Sequence, residues 1–161
     1  VRRILLDTAV PIKSHITEVA LFTADRAEQW ADIIEPALDS GRVVVSDRNW
    51  YSTLAYQTAS DPAMEEKIIT VTNTLLPSRY VKPDLAIVLS LSEEVRRQRR
   101  LFREQDNVPD SFEQRDNSFF EKVHKIYEQI PRKLGAVAIS ADAAPNEVFS
   151  QVWAEFERVI R

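Results

Sequence analysis

A wholly apolar run of three valines, Val43–Val45, follows Gly41 and is followed almost at once by Asp47 and Arg48. Such a run is typical of a strand covered on both faces, and a glycine just before it is where a helix would end. In an open α/β sheet, ligands bind at the carboxyl ends of buried strands. We therefore predict a buried strand here, with Asp47 and Arg48 at a ligand-binding edge.

The Asp47–Arg48 pair is suited to phosphate chemistry. The carboxylate can hold a metal ion or its waters, and the guanidinium can grip phosphate oxygens with two parallel hydrogen bonds. The simpler interpretation is a structural pair that closes a loop. Phosphate chemistry is favoured because hydroxyl, phenol and amide side chains follow within about two to three helical turns: Ser52, Thr53, Tyr56 and Gln57.

The other apolar patterns predict an alternation of helices with two more strands. Runs at Leu85–Leu91 and Ala136–Ser140 indicate buried strands, and Gly135 precedes the second of them as Gly41 precedes the valines. Helical spacing of apolar residues predicts helices in four segments, which are 14–39, 61–76, 112–134 and 145 to the end of the chain.

Length, charge and cysteine content exclude several classes of protein. The 161 residues amount to one domain, and a net charge of −4 argues against a general nucleic-acid binder. Cysteine is absent, so there is no disulfide framework or thiolate metal site, and a reducing cytoplasm fits. No apolar run approaches the length of a membrane span.

Glycine is scarce in a way that bears on function. The chain contains two glycines, and both are accounted for by the turns before the apolar runs. None is left for a loop of the G-x-x-x-x-G-K-[ST] kind, which cradles the phosphates of a nucleoside triphosphate.

Two motifs resemble those of the thymidylate kinase family. Asp47, Arg48, Ser52 and Ala55–Gln57 match its DRYxxSxxAYQ signature, with Asn49 where tyrosine is usual, and 21–29 (LFTADRAEQ) is similar to its LFAADRAxH helix. The segment 82–91 (KPDLAIVLSL) resembles KPDLTLYLDL, except that Ser90 replaces an acidic residue.

The resemblance implies a three-layer P-loop NTPase fold, with a parallel sheet flanked by helices. It implies transfer of the γ-phosphoryl group of ATP to dTMP, with Mg2+ at Asp47 and the acceptor phosphate on Arg48. The base would stack on Phe22, receive a hydrogen bond from Arg26, and meet Thr53 and Gln57 at its polar edge. Ser52 and Tyr56 would complete the substrate site, and the adenine of ATP would lie against a loop formed by Asp142, Ala143 and Ala144.

Five arginines lie within the eight positions 96–103. A solvated helix face and a nucleic-acid patch are two interpretations, and the acidity of the chain weighs against the second. The resemblance implies a third, a mobile lid over 96–118 that brings arginine to the transferring phosphoryl group. Ser111 stands where the family has arginine, so this role falls on Arg99 or Arg103.

The resemblance also implies that the family's first strands and phosphate loop precede Val1. We expect 1–161 to be a single kinase domain without that segment, and to be inactive as an isolated chain. A homodimer through the helices 14–39 and 49–60 is expected. The alternatives are another deoxynucleoside or nucleotide kinase of this fold, and a non-catalytic nucleotide-binding or dimerisation module.

Overall fold

The computed structural model describes residues 14–103 and 116–160. The chain begins with helix α1 (His15–Gln29), which continues through a π-helical segment (Trp30–Ile34) into α2 (Glu35–Asp39). The remaining elements are α3 (Trp50–Ser60), α4 (Met64–Leu75), α5 (Ser78–Val81), β1 (Ile87–Ser90), α6 (Glu93–Arg103), α7 (Asn117–Leu134), β2 (Val137–Ser140) and α8 (Pro145–Ile160).

The strands β1 and β2 pair in parallel, in a register that runs from Ile87 opposite Val137 to Ser90 opposite Ser140. The connection between them runs through α6 and α7, as a parallel pair requires. Both strands are thus confirmed. Our expectation that β1 is covered on both faces is wrong, because Val88 is buried whereas Leu89 is 55% exposed.

The predicted strand at Val43–Val45 is also wrong. This run has no regular secondary structure, and Val43 and Val45 are 62% and 88% exposed. A strand is stabilised by hydrogen bonds to a neighbouring strand. Among the described residues the sheet consists of β1 and β2, and neither pairs with the valines. Asp47 and Arg48 therefore lie in a loop before α3.

Helix α3 forms the centre of the core and packs against α1, α4 and α7. It begins where the Asn49 side chain accepts a hydrogen bond from the Tyr51 backbone N–H, at 2.9 Å. Eight of its eleven residues are buried, and Leu54, Ala55 and Gln57 are at most 2% exposed. The helix that we expected to contribute to a homodimer is thus covered within one chain.

The other helices agree with the predicted periodicity, with differences at their ends. The segment expected to begin at Asp61 becomes helical at Met64, because Pro62 lies in the preceding turn. Pro131 lies inside α7 without ending it, and the helix ends at Gly135, with φ +74°. Residues 112–115, expected to begin this helix, lie outside the described residues.

Helix α8 leaves much of its apolar stripe in solvent. Phe149 and Trp153 stack with a ring-centroid distance of 6.0 Å, yet they are 62% and 47% exposed. These two side chains are therefore only partly covered by the rest of the described chain. None of the helices in the described parts of the chain is both long enough and apolar enough to cross a bilayer.

Candidate functional site

Arg48 lies in a strained loop at the start of α3. Its φ is +71°, a left-handed conformation that costs a side-chain-bearing residue roughly 1–2 kcal/mol. Two contacts hold this backbone: the Ser46 hydroxyl donates to the Arg48 carbonyl at 2.7 Å, and the next residue, Asn49, caps the helix. Strain of this kind concentrates at functional sites, where the surrounding structure maintains it.

The Arg48 guanidinium is directed to the ring of Tyr56, with its Cζ 5.7 Å from the ring centroid. Burial acts to lower the pKa of Arg48, but a hydrogen bond with the Tyr56 side chain and the fields of Tyr56, Tyr127 and Asp47 outweigh it and raise the pKa. The group is therefore a permanent cation in a partly exposed position, as anion binding requires.

Asp47 is exposed beside Arg48. Among the described residues there is no group of three or more His, Cys, Asp or Glu side chains that could hold a metal ion by themselves. A single carboxylate fits Mg2+, which usually takes one or two carboxylates together with substrate phosphates and water. The residues present thus fit a magnesium ion that a nucleotide helps to hold.

Arg26 connects α1 to the loop before α3. Its Nη1 donates to the Phe22 carbonyl at 2.9 Å, and its Nη2 donates to the Asn49 carbonyl at 3.0 Å. Burial lowers the pKa of Arg26, against the opposing influence of Tyr80 and Asp25. The Arg26 Cζ also lies 5.4 Å from the centroid of the Phe22 ring, so these two side chains occupy one face of α1, as their spacing predicts.

Thr53 and Gln57 follow one another on the same face of α3. Gln57 is 0% exposed and Thr53 is 5% exposed. The Thr53 hydroxyl and both amide atoms of Gln57 are buried without a hydrogen-bond partner among the described residues. An unsatisfied buried polar group costs about 1–3 kcal/mol, so these groups favour a ligand or water that would satisfy them.

Two tyrosines that sequence analysis did not assign to the site contact the assigned residues. The Tyr127 hydroxyl, on α7, donates to the Ser52 hydroxyl at 2.8 Å, and burial raises the pKa of Tyr127. Tyr80, on α5, is hydrogen-bonded to Arg26. Both tyrosines are far from their partners in sequence and lie outside the motifs that carry the resemblance, so no local pattern identifies them.

The residues predicted for the donor side meet at the carboxyl ends of β1 and β2. Arg99 Nη2 donates to the Ala141 carbonyl at 3.0 Å, and the Asp142 carboxylate accepts from the Ser92 backbone N–H at 2.8 Å. These bonds join the segment directly after β2 to the middle of α6 and to Ser92, just before that helix. The side chain of Arg103 lies outside the described part of the chain.

Comparison with known proteins identifies one family that this chain resembles along most of its length. A family model described as thymidylate kinase matches residues 1–152. A thymidylate kinase of Halothermothrix orenii is 30% identical over 95% of this chain and 72% of its own length. Others, from Prochlorococcus marinus and Halalkalibacterium halodurans, are 34% and 30% identical over 94% and 100% of this chain, and over 69% and 74% of their own lengths.

Proposed function

Because this chain belongs to the thymidylate kinase family, we propose that Asp47, Arg48 and the residues around them are its acceptor site for dTMP. The family's reaction is the transfer of the γ-phosphoryl group of ATP to dTMP. Its fold is the three-layer P-loop kinase fold, and the parallel pairing of β1 with β2 agrees with it. Another nucleotide kinase of the same fold is not favoured.

The observation that carries the site assignment is the strained backbone of Arg48. A non-glycine residue at φ +71° lowers stability, and the contact of the Arg48 side chain with Tyr56 offsets only part of that cost. What arginine adds at this position is a partly exposed guanidinium that a ligand can reach. It is suited to hold the acceptor phosphate by two parallel hydrogen bonds, in line with the donor.

In phosphoryl transfer the protein takes little part in the covalent chemistry. Phosphoryl transfer passes through a loose transition state, in which charge is spread over the oxygens of the transferring group. Arg48 orients the acceptor oxygen, and Asp47 is the residue that would hold Mg2+, which neutralises charge on the phosphates when bound. A lid arginine, Arg99 or Arg103, would supply the remaining positive charge.

The thymine base is expected between α1 and α3. Phe22 offers an aromatic face, Arg26 retains N–H donors beyond the two that hold backbone carbonyls, and Thr53 and Gln57 have unsatisfied polar atoms. Because the Gln57 amide is sealed from solvent, neighbouring side chains must move before a base can touch it. We expect Ser52 and Tyr56, which contact Tyr127 and Arg48 respectively, to line the nucleotide between its base and its phosphate.

ATP binding is proposed for the loop of Asp142, Ala143 and Ala144, through backbone contacts with adenine. The 161 residues contain no phosphate-cradling glycine loop, since their two glycines end helices. We therefore expect the 161-residue chain by itself to bind dTMP and to transfer no phosphoryl group. The absence of cysteine agrees with a cytoplasmic location, which we propose on that ground.

Calorimetric titration of the 161-residue chain with dTMP and dCMP tests the site. An arginine that donates to the thymine carbonyl faces an amino group in dCMP, so dTMP should bind at least about tenfold more tightly. Arg48→Lys should weaken dTMP binding while circular dichroism stays unchanged. Equal affinity for both nucleotides, or no binding of dTMP, would contradict the proposed function.

A further inference from the structure

The Arg26 guanidinium touches two elements at once. Within α1 it donates a hydrogen bond to the Phe22 carbonyl and lies over the Phe22 ring. It also donates to the Asn49 carbonyl, in the loop before α3, at 3.0 Å. Asn49 is the residue that directly follows Arg48. Arg26, which is expected to contact the base, is therefore hydrogen-bonded to the residue next to Arg48, which is expected to contact the phosphate.

The contact falls on the part of the loop that determines where Arg48 points. Asn49 begins α3: its side chain accepts from the Tyr51 N–H, and its carbonyl accepts from the Ser52 N–H at 3.1 Å as well as from Arg26. On the other side, Ser46 holds the Arg48 carbonyl. A left-handed residue persists when the contacts around it fix its backbone, and Arg26 supplies one of these contacts.

Removing the Arg26 guanidinium from water costs free energy, which argues that its hydrogen bond to Asn49 has a role. Arg26 is partly buried, and a guanidinium removed from water must be hydrogen-bonded to offset its lost hydration. Two of its five N–H donors go to carbonyls in the described residues, and the group is also bonded to Tyr80. The remaining donors can meet a ligand without releasing Asn49.

We propose that Arg26 is a positioning residue for Arg48, so that recognition of the thymine base and recognition of the phosphate are energetically coupled through the Arg26–Asn49 hydrogen bond. The inference rests on the proposed function, since it takes the base to Arg26 and the phosphate to Arg48. Coupling of this kind is reciprocal: the base tightens phosphate binding by the same factor by which phosphate tightens base binding.

The coupling is measured by the ratio of the dissociation constants of thymidine and dTMP, which isolates the contribution of the phosphate. Arg26→Lys keeps the positive charge but replaces a planar fork with a point charge that cannot bridge two carbonyls. The ratio should fall about threefold to tenfold, the effect of one lost hydrogen bond. Thr53→Val is the matched control, because it removes a polar base contact on α3 and leaves the printed hydrogen-bond partners of Arg26 unchanged: it should weaken thymidine and dTMP equally and leave the ratio unchanged.

A second measurement uses the unaltered chain, so the test survives if Arg26→Lys does not fold. Saturating thymidine should tighten the binding of inorganic phosphate at least about twofold, and this effect should vanish in Arg48→Lys. A wild-type ratio in a folded Arg26→Lys protein, or phosphate binding indifferent to thymidine, would overturn the coupling alone. Wild-type protein that binds dTMP no more tightly than thymidine would overturn the acceptor-site assignment itself.

Discussion

At Arg48 the left-handed backbone lowers stability, while the side chain supplies a guanidinium for binding. A left-handed φ costs an L-residue roughly 1–2 kcal/mol, and glycine adopts it without this cost. Arg48→Gly should therefore raise the free energy of unfolding by at most about 1 kcal/mol, because the greater flexibility of glycine in the unfolded chain and the lost contact with Tyr56 offset part of the relieved strain. The same change should remove the guanidinium and abolish the preference for dTMP over thymidine. Urea denaturation and calorimetry measure the two effects.

Gly41 provides the reverse substitution as a control. Its φ is +76°, and apart from its own chain neighbours no heavy atom of the described residues lies within 4 Å of the place where a Cβ would be, so Gly41→Ala introduces backbone strain without a steric clash. It should lower stability by about 1 kcal/mol. If Arg48→Gly instead lowers stability while Gly41→Ala behaves as expected, the Arg48 side chain contributes to folding and the strain argument fails.

At the same scale, local spacing predicted part of the site and missed the rest. The i,i+4 spacing of Phe22 and Arg26 is enough to put both side chains on one helix face. The Arg26–Asn49 and Tyr127–Ser52 bonds join residues 23 and 75 positions apart. They depend on how α1 and α7 pack against α3, which no local pattern specifies.

At the scale of elements, the start of α7 makes stability sensitive to acid. The Asp116 carboxylate accepts from the Phe119 backbone N–H at 2.8 Å and from the Ser118 hydroxyl at 2.9 Å. These bonds favour the charged form and lower the pKa of Asp116 below its ordinary value of about 4. Its stabilising contribution is therefore complete above that ordinary value and is lost as the pH falls through the lowered, folded-state pKa.

Asp116→Asn tests this linkage, because asparagine also caps a helix but does not titrate. The melting temperature of the wild-type protein should fall relative to that of the variant when the pH is lowered from about 6 to about 3. Melting curves of both proteins over that range measure the difference. A difference that is independent of pH would show that the Asp116 charge does not contribute to the cap.

The helices were more predictable than the strands for a related reason. An α-helix makes its backbone hydrogen bonds within one segment, so apolar periodicity and capping residues located most of the helices to within a few positions. A strand needs a neighbour. The pattern at Val43–Val45 is as apolar as that of β2, but in the described residues only β1 and β2 pair, and burial could not be inferred from the valines alone.

At the scale of the whole molecule, we propose a homodimer whose contact lies on α1. The α3 helix is covered by α1, α4 and α7 and offers little free surface. On α1, however, Ile16, Ala20 and Ala24 are exposed at four-residue intervals, which puts them on one face. A helix face of small apolar residues can approach its own copy closely across a two-fold axis.

Ala20→Arg tests the contact by placing two like charges across that axis. Sedimentation should give a dimer for the wild-type chain and a monomer for Ala20→Arg, with unchanged helical content. Ser150→Arg, on the exposed surface of α8, is the control for added charge and should remain a dimer. A monomeric wild-type chain at micromolar concentration would rule out this arrangement.

The exposed valines have a consequence for handling the protein. Val43 and Val45 present β-branched apolar side chains to solvent without a strand beside them among the described residues, a pattern that templates intermolecular strand pairing and aggregation. The charged residues Arg42 and Asp47 flank the run, as the charged gatekeeper residues beside apolar strands do. Copies of the chain repel because each carries a net charge of −4, and salt weakens that repulsion. We therefore expect concentrated solutions to precipitate sooner at high ionic strength, and Val45→Lys to delay precipitation by placing a charge within the apolar run.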